Sequence, residues 1–553
     1  MDRFTHYDLQ RQDANLSQVF DVAVIGAGST GAGIALDAAS RGLSVVLIDR
    51  GDVASATSSS SSRLIHGGLR YLESGEVTLV AEALRERSIL QKIAPHLVRP
   101  LGFTIPIVSR SRYFAFAKRH LYSATLWGYD LAGSLRSAKA HSVLSTKEVV
   151  RNLPLIRQEK LHGGLLYPDS LTDDARLTNS TVLTAHRAYG ARVLTYSEVT
   201  EVKDKAGTVG LTLRSTLGKP ETFEVKAKAV AVAAGVGNQL LSPLFKSQPN
   251  FDILPAKGIH LSVPREKLPL NSAAAIDVPS DKRRVFVVPW GRYSYFGTTD
   301  TRYDGDLASP DITSEDVAYL LEGLNEVFEA DLAPADITGG WSGLRPLVME
   351  RGTDNPEEVS RKHAISVRNN VVFVAGGKLT TYRAMATQVT DALCEILGVK
   401  AKSQTKRLSL IGSYLPHQES ELRRNIDRLL AQATSSTTER IRLGEHLIAR
   451  YGAEAPKVAE VIVNSWNLHS PDLLEADEIY LGEIQYMTKF EGARTVSDLF
   501  LRRSRIATLD MDLAVSLAKA SKKEIMRSLS INEAEFNLQV DQMVKAPSTK
   551  VPK

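Results

Sequence analysis

The stretch Asp21-Val-Ala-Val-Ile-Gly-Ala-Gly-Ser-Thr-Gly31 decides the fold, because a short apolar strand leads directly into a glycine-rich turn. Good helix formers follow at 34–39, Arg41-Gly42 ends that helix, and Leu43-Ser-Val-Val-Leu-Ile48 has the pattern of a second buried strand. Strand, helix and strand in this order make a βαβ unit. The unit predicts a Rossmann-like domain that binds a dinucleotide.

The glycines of this turn let a pyrophosphate approach backbone N–H groups at the helix N-terminus, where the helix dipole favours an anion. Asp49 ends the second strand, where a carboxylate can take ribose hydroxyls. Glycines that serve only helix–strand packing are the weaker alternative, because a complete βαβ unit surrounds them. We predict dinucleotide contacts at Gly26, Gly28, Ser29, Thr30, Gly31, Asp49 and Arg50.

The βαβ unit alone leaves NAD and FAD open, and two later strands favour FAD. Both strands, 230–235 and 371–377, are apolar and end in glycine. Flavoproteins with an N-terminal Rossmann unit commonly carry such returning strands, one of which brings a helix N-terminus to the flavin. We add Val199, Ala234, Gly235, Gly376, Gly377, Lys378, Leu379, Thr380 and Thr381 to the predicted cofactor contacts.

Composition limits the function. With 553 residues the chain is long enough for two or three domains, and its net charge of +5 does not suggest a nucleic-acid partner. The single cysteine, Cys394, excludes an intrachain disulfide and fits a reducing compartment. We expect no signal peptide, and no apolar run approaches the ~18 residues of a membrane span. Any membrane contact is therefore expected to be peripheral.

One stretch, from Arg110 to Arg119, mixes cations with aromatic side chains. This composition suits contact with an acidic lipid surface. It suits equally a solvated helix whose aromatic face packs on the protein. The sequence leaves the two interpretations open.

The rest of the chain divides into a β-rich middle and a helical end. Antiparallel sheet is predicted at 259–263 and from 285 to 297, and Ser145 with Glu148 has the spacing of a capping box. Helical patterns begin after about Ser403, at 420–433, 439–451 and 476–490. The helical end lacks the pattern of an EF-hand, so we expect no calcium control and predict no metal ligands.

The predicted fold class is α/β, with an N-terminal Rossmann-like FAD-binding domain, an antiparallel β-sheet substrate (cap) domain and a C-terminal all-helical domain. The last residues contain two prolines and no apolar pattern, which predicts a loose tail. The predicted boundaries are 16–90, 142–245 and 340–398 for the FAD-binding domain, 91–141 and 246–339 for the cap, 399–540 for the helical domain and 541–553 for the tail.

The segment Ala56-Thr-Ser-Ser-Ser-Ser-Ser-Arg-Leu-Ile-His-Gly-Gly-Leu-Arg-Tyr-Leu-Glu73 is the most distinctive in the chain. A serine run alone is as often a flexible tether. Here the hydroxyls lead directly into a glycine pair, which allows close approach of the backbone to a planar ring. We predict cofactor contacts at Thr57, Ser58, Ser59, Ser62, Leu64, His66, Gly67 and Gly68.

These residues closely resemble one family, the FAD-dependent glycerol-3-phosphate dehydrogenases, and the resemblance covers nearly the whole chain. Two departures stand out. Where the family usually has Ala-Thr-Gly-Pro-Trp, this chain has Ala233-Ala-Gly-Val-Gly237, and the ribose-binding acid is Asp49 rather than Glu. The matching blocks are Ala94–Pro100, Thr172–Leu177, Lys257–Leu261, Phe296–Asp300, Trp341–Leu347, Gly376–Arg383, Gly482–Tyr486 and Asp498–Arg505.

The resemblance implies oxidation of glycerol 3-phosphate to dihydroxyacetone phosphate, with the C2 hydride passing to FAD and the electrons to a quinone-type acceptor. His260 is the first choice of base, and His66 is a weaker one. A purely structural His260 is an equal alternative, and Arg345 is an alternative that stabilises the alkoxide. A phosphate dianion also requires cations. The predicted substrate ligands are Arg70, Tyr71, His260, Arg345, Lys378, Thr381 and Arg383.

Three other functions remain open. The first is a glycerol-3-phosphate oxidase that passes electrons to O₂ and releases H₂O₂, and the second is an amine or amino-acid oxidase. The third is a flavin-binding sensor without catalysis. The expected partners are glycerol 3-phosphate, a quinone or other electron acceptor and a membrane surface, while a homodimer is allowed and nucleic acid is not expected. The expected location is the cytoplasm, at the inner face of the cell membrane.

Overall fold

The computed structural model describes residues 18–68, 76–132, 141–205, 207–278, 283–350, 362–466 and 479–552. Two β-sheets and a helical domain make up this part of the chain. The strands are β1 Val19–Ile25, β2 Val45–Ile48, β3 Leu64–Ile65, β4 Val98–Val108, β5 Ser142–Leu144, β6 Leu161–Thr172, β7 Arg192–Leu194, β8 Ser197–Lys205, β9 Thr208–Ser215, β10 Thr222–Val232, β11 Phe251–Pro264, β12 Ala273–Asp277, β13 Arg284–Trp290, β14 Tyr293–Gly297, β15 Thr301–Arg302, β16 Gly339–Glu350, β17 Ala364–Arg368 and β18 Val371–Ala375.

The helices begin and end where local capping residues allow it. The predicted capping box at Ser145 and Glu148 is confirmed, and Gly190 ends another helix in the left-handed conformation. The helices are α1 Ser29–Ser40, α2 Val77–Ile93, α3 Arg112–Ala132, α4 Thr146–Asn152, α5 Asp174–Tyr189, α6 Asn238–Leu241, α7 Ser314–Val327, α8 Tyr382–Leu397, α9 Glu419–Leu430, α10 Thr437–Tyr451, α11 Ala455–Trp466, α12 Leu481–Phe490, α13 Ile506–Leu509, α14 Met511–Ala520, α15 Lys522–Leu529 and α16 Glu533–Lys545.

The first sheet contains the predicted βαβ unit and both returning strands. Strands β18, β10, β1, β2 and β7 lie side by side and parallel, while β17 and the β8–β9 hairpin extend the sheet in antiparallel fashion. Helices α1, α5 and α8 cover one face, where Val24, Leu47 and Val374 are buried. The glycine turn and the segments that follow both returning strands therefore lie side by side, at the carboxyl ends of neighbouring strands.

The second sheet is largely antiparallel and contains both segments predicted as antiparallel sheet, 259–263 and 285–297, which pair with each other through β11 and β14. Strand β16 pairs with β11 along its whole length, and β6 pairs with β4. Both β6 and β16 thus lie in this sheet, whereas the predicted boundaries put 142–245 and 340–398 in the dinucleotide domain. The boundaries differ because motif positions do not show which strands pair with which.

The helical domain buries a core of its own around Leu447, Ile484 and Phe500, and the predicted helices are present with shifted ends. The predicted loose tail is wrong. Helix α16 continues to Lys545, and the Ser342 N–H then donates to the Ser548 carbonyl at 2.8 Å. The tail is held in place because its backbone bonds to β16 at Ser342. This contact is long-range and has no local sequence signature. No helix among the described residues is long and apolar enough to cross a bilayer.

Candidate active site

The glycine turn is closed tightly around its own backbone. Gly26 has φ +107°, and a Cβ on Gly31 would lie 1.8 Å from the Gly26 carbonyl oxygen, so both positions require glycine. Gly28 caps α1 without any side-chain hydrogen bond. The first turn of the helix therefore presents backbone N–H groups to a pyrophosphate, and these residues fit FAD.

Asp49 holds this turn in place. Its carboxylate accepts the Ala27 N–H at 2.6 Å and the Gly51 N–H at 2.8 Å, one on each oxygen. Each oxygen keeps a second lone pair, so ribose binding by Asp49 stays a prediction. Arg50 is exposed beside it, and Val199 is buried in the core under the first sheet.

The serine segment is ordered and is not a tether. Thr57–Ser59 is a short 3-10 helix, and the Thr57 hydroxyl donates to the Leu344 carbonyl at 2.7 Å. Ser58 accepts the Ser29 N–H at 2.9 Å, and Ser61 donates to Asp174 at 2.7 Å. These bonds attach the segment to the glycine turn on one side and to β16 on the other.

A cavity of about 290 Å³ opens where the serine segment, β11, β16 and the end of β18 meet. Many predicted site residues line it: Thr57, Ser62, Leu64, His66, Gly68, His260, Arg345, Gly376, Gly377, Lys378, Leu379 and Thr380. The sequence reasoning did not name other lining residues as site residues, among them Tyr167, Arg283, Arg284, Phe286, Thr298 and Asp300.

The Arg345 side chain is held at the cavity wall by polar groups from the neighbouring loop. Its guanidinium donates to Asp300 at 3.0 Å and to the Thr298 hydroxyl at 3.0 Å, while about a third of the side chain stays exposed. A Cβ on Gly258 would lie 2.7 Å from Arg345 Nη2. Glycine at 258 therefore leaves room for the guanidinium.

His260 is buried beside Arg345, and its Nε2 lies 2.9 Å from the Ser62 hydroxyl oxygen. Burial, followed by the positive charges of Arg345 and Arg63, holds the pKa of His260 well below its ordinary value. Its imidazole is therefore neutral at neutral pH and is able to accept a proton.

His66 is the second imidazole at the cavity. Its backbone N–H donates to the Thr380 hydroxyl at 3.1 Å, and that hydroxyl donates back to the His66 carbonyl at 3.2 Å. Burial, with a contribution from the Lys378 charge, lowers the pKa of His66 to about 4. The two hydrogen bonds between the His66 backbone and the Thr380 hydroxyl link the serine segment to the segment that follows β18.

Lys378, in the segment after β18, is the remaining predicted cation that lines the cavity among the described residues. Gly376 and Gly377 have φ of +79° and +81°, which brings Lys378 to the cavity wall just before α8. Thr381 is buried under this turn and donates to the Lys378 carbonyl at 3.3 Å. Arg70 and Tyr71 lie outside the described residues.

Arg383 does not reach the cavity, and its prediction as a substrate ligand is corrected. Its guanidinium forms a two-pronged pair with Glu86 at 2.6 and 2.7 Å, and both side chains are buried. Further bonds reach the hydroxyls of Thr387 and Thr405. Because Arg383 is the second residue of α8, the direction of its side chain is set by the helix and not by its closeness in sequence to Lys378.

The corner 233–237 contains the predicted contacts Ala234 and Gly235. The Ala233 carbonyl oxygen would lie 2.6 Å from a Cβ on Gly26, so this corner packs directly against the glycine turn. The buried Asn238 donates to the Val374 carbonyl at 2.9 Å and joins the corner to β18. Residues 233–237 therefore lie where a corner that passes the dinucleotide is expected.

Helix α3 runs beside the cavity. The Arg284 guanidinium, which lines the cavity, lies 5.8 Å from the Tyr122 ring centre. On the opposite side α3 exposes an apolar face, so the aromatic residues of the stretch from Arg110 to Arg119 are not buried in the protein. Tyr129, by contrast, is buried, accepts the Gly67 N–H at 2.8 Å and donates to Asp169. The apolar face consists of Tyr113, Phe114, Phe116, Leu121 and Trp127.

Two family models match the chain. The FAD dependent oxidoreductase family matches residues 21–392, and the C-terminal domain of alpha-glycerophosphate oxidase matches residues 403–535. Together they cover the two sheets and the helical domain.

Individual relatives agree with these matches. Glycerol-3-phosphate dehydrogenase 2 of Mycobacterium tuberculosis is 35% identical over 95% of this chain and 87% of its own length. The aerobic glycerol-3-phosphate dehydrogenase of Bacillus subtilis is 34% identical over 88% of this chain and 87% of its own. The structure of the Bacillus halodurans glycerol-3-phosphate dehydrogenase, solved as a complex with FAD, superposes with a TM-score of 0.80 at 29% identity and covers 98% of both chains.

Proposed function

This chain belongs to the FAD-dependent glycerol-3-phosphate dehydrogenase family, and from that premise we propose that it oxidises glycerol 3-phosphate to dihydroxyacetone phosphate. One observation carries the proposal: a neutral His260 and the Arg345 guanidinium stand side by side in a cavity that Lys378 also lines. A base beside fixed cations is what oxidation of a phosphorylated alcohol requires.

The reaction removes a hydride from C2 and a proton from its hydroxyl, and FAD, when bound, supplies the acceptor of the hydride. His260 takes the hydroxyl proton on its imidazole, whose Nε2 lies 2.9 Å from the Ser62 hydroxyl oxygen. Arg345 stabilises the developing charge on the substrate oxygen, since its guanidinium lines the same cavity as His260. Lys378, whose charge acts on His66, binds the phosphate together with Arg70.

The central experiment is anaerobic addition of glycerol 3-phosphate to the FAD-loaded protein. The yellow flavin band should bleach with one substrate oxidised per flavin. A non-catalytic flavin sensor would stay yellow, and an amino-acid oxidase would bleach with glycine or sarcosine instead. Either of these results would contradict the proposal.

We propose a membrane quinone as the electron acceptor, reached from the cytoplasmic side of the membrane. The apolar face of α3 supports this assignment: Tyr113 is 76% exposed, Phe114 67% and Trp127 53%. Lys118 and Arg119 lie on the same helix, which suits an acidic lipid surface. Because α3 borders the cavity through Tyr122 and Arg284, a bound bilayer would lie close to the site of oxidation.

Sedimentation with anionic liposomes tests the membrane contact. Replacing Arg110, Arg112, Lys118 and Arg119 by Gln should release the protein into the supernatant, because the attraction to acidic lipid is lost. The matched control removes four exposed cations of the helical domain and its linker, and should still sediment. Equal sedimentation of both variants would contradict the lipid contact. The control replaces Lys406, Arg407, Arg424 and Arg428 by Gln.

Turnover in air separates the quinone from O₂. With a water-soluble quinone analogue present, reduction of the quinone should account for the glycerol 3-phosphate consumed, and little peroxide should form. Peroxide released in equal amount to the substrate consumed would identify an oxidase instead.

A further inference from the structure

Arg63 is an unusual cation because it is fully buried among aromatic rings. Its guanidinium carbon lies 3.9 Å from the ring centre of Trp341, 5.0 Å from that of Trp290 and 5.7 Å from that of Tyr295. Such contacts stabilise a desolvated cation by the negative charge of the ring faces. The three rings form an aromatic cage around Arg63.

Hydrogen bonding to Arg63 is sparse. Nη2 donates to the Thr508 hydroxyl of the helical domain at 2.6 Å, whereas Nε and Nη1 have no partner among the described residues. The nearby carboxylate of Asp174 is already bonded to Ser61 and Arg505. Burial, with a contribution from the Arg505 charge, lowers the pKa of Arg63 to about 9. A buried charge with so little compensation is costly to the fold.

The same cage also holds the proposed base. The His260 imidazole stacks on Trp341 with ring centres 4.9 Å apart and an angle of 10° between the planes. The Trp341 indole N–H donates to the Ser61 carbonyl at 3.0 Å, and the Tyr295 hydroxyl donates to the Ser62 carbonyl at 2.9 Å. Imidazole, indole and guanidinium are therefore in one contiguous cluster.

The surroundings of His260 contain little negative charge. The groups that act on it are Arg345 from β16, Arg63 from the serine segment and the ring of Tyr295 from β14. Burial raises the pKa of Tyr295 far above neutrality, so its hydroxyl stays uncharged. The only acid bonded within this group is Asp300, which pairs with Arg345 among the described residues. Arg63 is thus a second positive charge near the base, and it is not among the residues that line the cavity.

We propose that Arg63 is a positioning residue that acts through the Trp341 indole and the backbone at Ser62 to keep His260 oriented and uncharged. The proposal rests on the proposed function, in which His260 accepts the substrate proton. The buried charge of Arg63 would then have a function in the reaction: it disfavours protonated His260 in the enzyme–substrate complex, so the base is ready to accept the substrate proton.

The first test compares Arg63→Met with Arg63→Lys in the FAD-loaded protein. The measurement is the limiting rate of anaerobic flavin bleaching at saturating glycerol 3-phosphate, taken from about pH 9 down to the lowest pH at which the protein stays folded, because the pKa of His260 lies well below its ordinary value. This rate reports groups of the enzyme–substrate complex, so the titration of free substrate phosphate does not enter. Removing a unit charge within roughly 10 Å should move the acid limb up by about one pH unit, which makes bleaching about tenfold slower on that limb. Arg63→Lys should keep the limb of the parent.

A second pair of variants leaves Arg63 in place, in case the methionine variant does not fold. Thr508→Asp puts a carboxylate against the guanidinium and cancels its charge, whereas Thr508→Asn has the same shape without charge. The acid limb should move up in Thr508→Asp only. If both pairs bleach with the limb of the parent, Arg63 has no such role. If the parent itself does not bleach, it is the proposed function that fails.

Discussion

The cavity and the boundary between the dinucleotide domain and the helical domain are both rich in arginine, but the arginines differ in their exposure and in how they pair with carboxylates. In the cavity, Arg345 is about a third exposed and shares its guanidinium between Asp300 and the open space. At the boundary, Arg176 is buried and pairs with Glu491 through two hydrogen bonds. Arg503 pairs with Asp52 in the same two-pronged way.

This difference separates cations that are available to a ligand from cations that hold the fold. The arginine of a buried two-pronged pair is fixed by its carboxylate, and pulling it away leaves that carboxylate uncompensated. A partly exposed arginine at an open cavity can turn toward a new anion at little cost. Arg383, which was predicted to bind substrate, belongs to the cations that hold the fold.

The largest expected effect concerns the buried pair of Arg383 and Glu86. Arg383→Met should lower the free energy of unfolding by about 3–5 kcal/mol, because Glu86 is left buried and unpaired. Urea denaturation measures this loss. The double variant Arg383→Met/Glu86→Leu should recover much of it, and the KM for glycerol 3-phosphate should stay near that of the parent. If Arg383→Met instead raised the KM and left the stability unchanged, Arg383 would be a substrate ligand.

Loss of the Arg345 side chain should slow the reaction and leave the stability of the fold unchanged. Arg345→Ala should slow anaerobic flavin bleaching by about 10²–10³-fold, because a preorganised donor to the substrate oxygen is lost. Bound flavin and the urea midpoint should stay close to those of the parent. A variant that bleaches at the normal rate would contradict the role of Arg345.

The boundary also contains a histidine whose neutral state stabilises the fold. His96 is buried, and burial with the charges of Arg176 and Arg99 lowers its pKa to about 3. Because this value lies below that of an unfolded histidine, its contribution is complete above about pH 6.5 and declines as the pH falls. Between pH 7.5 and pH 5.5 the loss should be about 1.4 kcal/mol. Urea denaturation at both pH values, with His96→Gln as the variant lacking this term, measures it.

The smallest effect is expected at an exposed pair. Arg423 contacts Glu419 at 2.8 Å on the surface of α9, and both side chains are more than a third exposed. Arg423→Ala should change the free energy of unfolding by less than about 0.5 kcal/mol. A loss as large as that of Arg383→Met would remove the distinction between exposed and buried pairs.

Local motifs made much of this molecule predictable. The Gly26–Gly31 turn, the strand before it and the capping box at Ser145 depend on neighbours in sequence, and each is where the pattern predicts. Arg383 was wrong because its partner, Glu86, comes from a helix 297 residues away in sequence. The docking of Ser548 on Ser342 and the approach of Arg284 to the cavity are long-range in the same way. No local pattern encodes such contacts.

The apolar face of α3 has a practical consequence for handling the protein. Four aromatic side chains and a leucine on one helix make a surface that water solvates poorly. Without a bilayer to cover it, this surface favours contact between copies as the concentration rises. Concentrated stocks should therefore stay clear in a mild detergent or with small lipid discs, and should become turbid when these are removed.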